Sequence, residues 1–193
     1  FFTTHELGLY RTGNYFVGAV IGLVTVPVVP VMYSYFSRIQ NDKEKIKEVL
    51  LFGSKVISFF VLPIGVGIYI VRNPLSDFLF GEKWIGIAPV IGYLALAHCL
   101  AWIVGLNTEV YKAIGKPKIE FIMQSITVPL YLVTFFLASQ ISFIFFLQTR
   151  LLLVFFGIGM QCYFLNKELK ISYFNFFRNL SNLFLFVFIS YVC

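Results

Sequence analysis

Runs of about 20 apolar residues recur along this chain, with short connections between them, and a helix of that length crosses the ~30 Å hydrocarbon core of a bilayer. We place spans at residues 15–36, 49–71, 87–106, 119–138 and 141–165, with a truncated sixth span at 180–193. The runs lack the alternation of barrel strands and are about twice as long. The predicted fold class is therefore all-α, a polytopic membrane helix bundle with five complete transmembrane helices and one truncated helix.

Composition excludes a soluble domain, because only 12% of the 193 residues are charged and a water-facing surface usually needs roughly 25%. The three cysteines stand singly, without the spacing of a disulfide framework or a zinc site. We therefore expect no metal and no cofactor. Because the chain begins without Met and ends inside an apolar run, we expect a fragment of a longer membrane protein.

The net charge of +6 reflects membrane topology rather than binding to nucleic acid. Alternate connections collect ten basic residues, namely Arg38, Lys43, Lys45, Lys47, Lys112, Lys116, Lys118, Lys167, Lys170 and Arg178. The opposite side holds only Arg11, Arg72 and Lys83. Because short basic loops stay in the cytoplasm, residue 1 is predicted to lie on the external side. Tyr10 is interpreted as an aromatic residue at the membrane interface.

The connection from Asn73 to Pro89 carries apolar residues on one side of a potential short helix ending at Gly81. Such a segment is typical of an interfacial helix. The alternative, which we favour, is a plain connector that dips into the headgroup region.

Four phrases together resemble the polysaccharide and O-antigen flippases of the multidrug, oligosaccharidyl-lipid and polysaccharide exporter superfamily. They run from Leu7 to Tyr10, Pro30 to Asp42, Asn73 to Trp84 and Tyr111 to Pro117. The resemblance implies that residues 1–193 form the C-terminal lobe of a two-lobe flippase in the bacterial inner (plasma) membrane, with the N-terminal lobe of the same chain missing. The implied partner is an undecaprenyl-pyrophosphate-linked oligosaccharide, flipped for lipopolysaccharide or other surface polysaccharide synthesis, and the protein would not be an enzyme.

Four alternatives to that function stay open, one of which is a passive assembly subunit. Two belong to the same superfamily, a cation-coupled drug exporter and a lipid II flippase, although clustered acids within spans, which would favour the drug exporter, are absent. The fourth is a membrane enzyme that polymerises or ligates polysaccharide, which usually offers a sizeable external loop carrying convergent catalytic groups.

Two cations fall within spans, where a charged side chain costs ~2.5 to 3.5 kcal/mol on insertion scales and is a functional candidate. Arg150 shares a helical face with Gly157 and Gln161, and its guanidinium is suited to a pyrophosphate. The alternative is that Arg150 binds backbone carbonyls or a carboxylate of the missing lobe. Lys55 is a weaker candidate, because its flexible stem can carry the ammonium back to the interface.

Polar residues in the other spans form further candidate faces. His98 and Glu109 share a face that could couple ions, but His98 could equally be a hydrogen-bonded packing residue and Glu109 could pair with Lys112 or Lys116. Gln124, Thr127, Tyr131 and Thr134 form one neutral polar face, and Asn14 belongs to another. These residues either line a sugar path or form hydrogen bonds between helices. Gly18 and Gly22 predict a close helix contact.

Overall fold

The computed structural model describes residues 2–171, which are helical apart from their turns and connections. The helices are α1 (Thr4–Arg38), α2 (Lys43–Ile70), α3 (Arg72–Leu79), α4 (Ile87–Ala101), α5 (Asn107–Ala113), α6 (Lys118–Ser139) and α7 (Phe143–Leu169), with short 3₁₀ helices at Glu82–Trp84 and Trp102–Val104. Five stretches are long and apolar enough to span a membrane, with Ile87–Ala113 counted as one. The predicted all-α membrane bundle is confirmed, while the sixth span at 180–193 lies outside the described residues.

Side-chain caps stabilise the N-termini of α1, α2 and α7. Thr3 and Glu6 form a reciprocal capping box at the start of α1, and this is why the helix begins well before the predicted boundary at residue 15. The Asp42 carboxylate accepts from the backbone N–H of Lys45 at 3.0 Å, and Ser142 caps α7 in the same way at 3.1 Å. The turns between α1 and α2 and between α6 and α7 are only a few residues long, so each pair is antiparallel.

The central element of the bundle is α4, which packs against α1, α2, α3 and α7. Ile91, Leu94, Ala95 and Cys99 of α4 are fully buried. In contrast, α6 packs mainly on α7 and leaves much of its apolar surface open, as does α1. Tyr15, Leu23 and Phe121 are 80%, 79% and 73% exposed. In a membrane these outward apolar side chains face lipid or other transmembrane segments.

The connection after α2 contains a short helix, as expected for an interfacial segment. It is not the plain connector that we favoured from the sequence. Helix α3 covers Arg72–Leu79 and is followed by Gly81 at φ +67°, a backbone conformation that favours glycine. Ser76 is buried while Phe78 is 87% exposed, so the helix has one face on the bundle and an apolar residue pointing away from it. Its position in the headgroup region stays a prediction.

The third span is not the continuous helix predicted over residues 87–106. After Ala101 the chain tightens into the 3₁₀ turn Trp102–Val104 and resumes as α5 at Asn107. No proline lies at this break; instead, the Trp102 ring lies beside Gly105, where an added Cβ would come within 2.9 Å of the ring carbon Cζ3. The missing side chain of Gly105 gives the indole the space to fold along the chain.

Candidate functional site

Arg150 lies inside the bundle, on α7. It follows Phe143, the first residue of that helix, by about two turns, or ~10 Å at 1.5 Å per residue. Its side chain is half-buried, and within residues 2–171 its buried Nε has no hydrogen-bond partner. The guanidinium carbon lies 5.6 Å from the centroid of the Tyr10 ring, which is a cation–π contact. In the described part of the chain no carboxylate forms an ion pair with Arg150.

Next to Arg150, α1 and α4 are joined by a hydrogen bond between Asn14 and His98. The His98 Nε2 lies 3.1 Å from Asn14 Oδ1, and because an amide oxygen can only accept, Nε2 is the donor. The positive charge of Arg150 interacts electrostatically with Tyr10, His98 and Tyr131. We call Tyr10, Asn14, His98, Tyr131 and Arg150 the Arg150 cluster; it draws on α1, α4, α6 and α7.

A cavity of about 310 Å³ lies between the α4–α5 break, α6 and α7, and we call it the α6–α7 cavity. Its lining includes three predicted substrate-binding residues, Gln124, Tyr131 and Gln161. The Oε1 atom of Gln161 is buried and has no hydrogen-bond partner among the described residues. Tyr131 lines this cavity, and its hydroxyl donates to the carbonyl of Leu153, one turn after Arg150 on α7, so the two features are adjacent.

Hydrogen bonds account for part of the polar face of α6. The hydroxyls of Thr127 and Thr134 donate to the carbonyls of Met123 and Leu130, one turn earlier, at 2.8 and 2.7 Å. The Tyr131 hydroxyl donates to the Leu153 carbonyl of α7 at 3.3 Å. This bond joins two helices, which is the alternative to a role in a sugar path. The side chain of Gln124, in contrast, makes no hydrogen bond to any residue that the structure describes, and it lines the cavity.

Two predicted site residues lie elsewhere. Lys55 is exposed on α2, on an apolar face that includes Phe52 and Phe59. Glu109 forms an ion pair with Lys112 at 3.0 Å on α5 rather than meeting His98. Among the described residues, no group of three or more His, Cys, Asp or Glu side chains is placed to hold a metal ion.

Tyr10 is the residue of the Arg150 cluster that the sequence interpretation missed. Its place near the end of a predicted span favoured an interface role, and the apolar run did not include it. The signal that could have identified it is its spacing from Asn14, since residues four apart share a helical face. Its contact with Arg150 joins helices from opposite ends of the described chain, which helical periodicity alone does not predict.

Comparison with known proteins agrees with the resemblance carried by the motifs. Residues 1–89 match the family described as polysaccharide biosynthesis protein. No solved structure is significantly similar to the chain.

Three curated relatives carry names from the same field. The teichuronic acid biosynthesis protein TuaB of Bacillus subtilis is 25% identical over 72% of this chain and 29% of its own length. The succinoglycan biosynthesis transport protein ExoT of Rhizobium meliloti is 24% identical over 60% of this chain and 24% of its own length. The lipopolysaccharide biosynthesis protein WzxC of Escherichia coli is 31% identical over 45% of this chain and 16% of its own length.

The chain thus spans between 16% and 29% of the length of these relatives. Their names, with the family match, confirm the resemblance to a polysaccharide biosynthesis and transport family. The described residues form a multi-pass membrane bundle.

Proposed function

We propose that this chain is part of a transporter that moves a lipid-linked oligosaccharide across the bacterial inner membrane during synthesis of a surface polysaccharide. The similarity to a succinoglycan biosynthesis transport protein and to proteins of teichuronic acid and lipopolysaccharide biosynthesis supports this function. The proposal places residue 1 on the external side and assigns the second lobe to the rest of the protein.

The observation that carries the proposal is a cation at membrane depth without a counter-ion in the described residues. Burying Arg150 costs free energy that a neutral side chain would avoid. Its Nε is directed to no described partner, while the Tyr10 ring and the Asn14–His98 pair hold the surroundings in place. A phosphate group on the ligand would accept hydrogen bonds from the guanidinium in a bidentate arrangement.

Transport in this proposal requires no covalent chemistry. The anionic headgroup contacts the Arg150 cluster and is shielded from hydrocarbon, while the lipid tail stays in the bilayer. Two conformations, open to opposite sides, then alternate around the site. Consistent with this scheme, the cluster is built from α1, α4, α6 and α7 together, so a movement between these helices would change the site directly.

The proposal is tested by replacing Arg150 in the full-length protein. Arg150→Gln should reduce export of surface polysaccharide at least tenfold, since hydrogen bonds to charged groups contribute about 1.5 to 3 kcal/mol. The measurement is the amount of exported polysaccharide, normalised to the level of the transporter in the membrane. Arg11→Gln is the matched control, because Arg11 is an exposed arginine beside Tyr10 in the sequence. Normal export by Arg150→Gln would overturn the assigned role.

A further inference from the structure

We propose that the α6–α7 cavity is a sugar-binding subsite, which takes the uncharged ring next to the phosphate of the lipid-linked ligand. This inference rests on the proposed function and adds a second recognition element to it. The Arg150 cluster would bind the anionic group, and the cavity would bind the first sugar. The ligand class is therefore a neutral, hydroxyl-rich ring attached to a phosphate.

The cavity lining has the chemistry of a carbohydrate site. None of its lining residues is charged, and the polar ones are amides and hydroxyls. These polar residues are Thr108, Gln124, Thr127, Tyr131 and Gln161. Apolar side chains such as Val154 and Met160 complete the wall, which suits the mixed polar and apolar faces of a sugar ring.

Several side-chain oxygens in this cavity can still accept hydrogen bonds from a ligand. The buried Gln161 Oε1 accepts no hydrogen bond from the described residues, and leaving a buried acceptor unsatisfied is unfavourable. A sugar hydroxyl can donate to it. The hydroxyls of Thr127 and Tyr131 donate to backbone carbonyls, so their oxygen lone pairs stay able to accept from a sugar.

The position of the cavity fits a ring linked directly to a phosphate. Val154 lines the cavity and lies one turn from Arg150 along α7, a rise of ~6 Å. Tyr131 also lines the cavity, and its hydroxyl donates to the carbonyl of Leu153, one turn after Arg150. A volume of about 310 Å³ is at the lower end of the range for small-molecule sites, which is suitable for a single ring rather than a whole repeat unit.

The test measures protection of a cysteine in the cavity. Thr127→Cys is introduced into the full-length protein after its other cysteines are replaced, and its alkylation by N-ethylmaleimide is timed in detergent micelles. Two probes are compared, lipid-linked repeat units extracted from polysaccharide-producing cells and undecaprenyl pyrophosphate without sugar. The sugar-bearing lipid should slow alkylation at least threefold, and the bare lipid should not. Thr134→Cys is the matched control, because Thr134 makes the same kind of bond to its own helix but does not line the cavity.

Equal protection of the Thr127→Cys variant by both lipids, or protection by neither, would overturn the sugar subsite. If Arg150→Gln still reduced export in that case, the proposed function would be retained. If neither lipid stabilises the protein against heat and Arg150→Gln exports normally, the proposed function itself fails. A second variant, Gln161→Leu, covers the case in which the cysteine protein is unstable: its affinity should fall about two- to tenfold for the sugar-bearing lipid, the loss of one hydrogen bond, and stay unchanged for the bare lipid.

Discussion

Gly65 lies at a very close contact between α2 and α4. A Cβ at this position would come within 2.5 Å of the Cys99 side chain and 2.9 Å of the Ala95 carbonyl oxygen. At Gly67, two residues further along α2, an added Cβ would meet nothing within 4 Å. The two glycines therefore differ in function: Gly65 lets two helix backbones approach, and Gly67 does not take part in that contact.

Gly65→Ala is expected to destabilise the full-length protein by about 1 to 3 kcal/mol, the usual cost of overpacking a tight contact. The measurement is the midpoint temperature of thermal unfolding in detergent. Gly67→Ala is the control and should keep or raise the midpoint, because alanine favours a helix over glycine by ~1 kcal/mol. Equal midpoints for the two variants would contradict the close contact.

The sequence favoured a different pair of glycines. Gly18 and Gly22 have the small-residue spacing of a helix contact, yet within residues 2–171 an added Cβ at Gly18 would meet nothing within 4 Å. At Gly22 it would meet only Val26 of the same helix. Spacing shows which residues share a face, but it does not show which face meets a neighbour. The glycine of α1 that lies at a close helix contact is Gly13, where an added Cβ would lie 2.8 Å from Val90 of α4.

At the scale of elements, the positions of the transmembrane helices follow from apolar runs and the short turns between them. Hydropathy identified all five described spans, because each unbroken apolar run has only one way to satisfy its backbone in lipid. The break between α4 and α5 was missed, since the residues around Trp102 and Gly105 are as apolar as their neighbours. Likewise, spacing grouped Arg150 with Gln161 but could not place Asn14 and His98 together, because that contact depends on how α1 and α4 pack.

Gly105→Ala should push the Trp102 ring away from the α4–α5 break. This chain contains two tryptophans, so the experiment is made in full-length protein in which Trp84 and any tryptophan outside this chain are replaced by Phe, and the fluorescence of Trp102 is recorded. We expect a shifted emission maximum and a thermal midpoint lowered by the equivalent of about 1 to 3 kcal/mol. Gly159→Ala is the matched substitution, because an added Cβ there meets nothing within 4 Å. An unchanged emission spectrum in Gly105→Ala would show that the glycine does not accommodate the ring.

At the scale of the whole molecule, the charge distribution predicts how the chain is threaded. Ser139 lies at the end of α6, in the short turn before α7, and the basic connections predict that this turn lies outside the cytoplasm. Ser139→Cys, in a background without other cysteines, should react with a membrane-impermeant maleimide added to intact spheroplasts. Gln40→Cys, in the turn between α1 and α2, should react only after the membrane is opened. The reverse pattern would invert the topology.

The contact between Asn14 and His98 joins residues separated by 84 positions. At a synthesis rate of ~5 to 20 residues per second, about 4 to 17 s pass between the appearance of the first residue and that of its partner. Arg150 emerges later still, so the Tyr10 ring has no cation to contact until α7 is being made. The Arg150 cluster is therefore complete only once α7 has been made, and a nascent chain that stops before α7 contains the central helix α4 but lacks the cation of the proposed site.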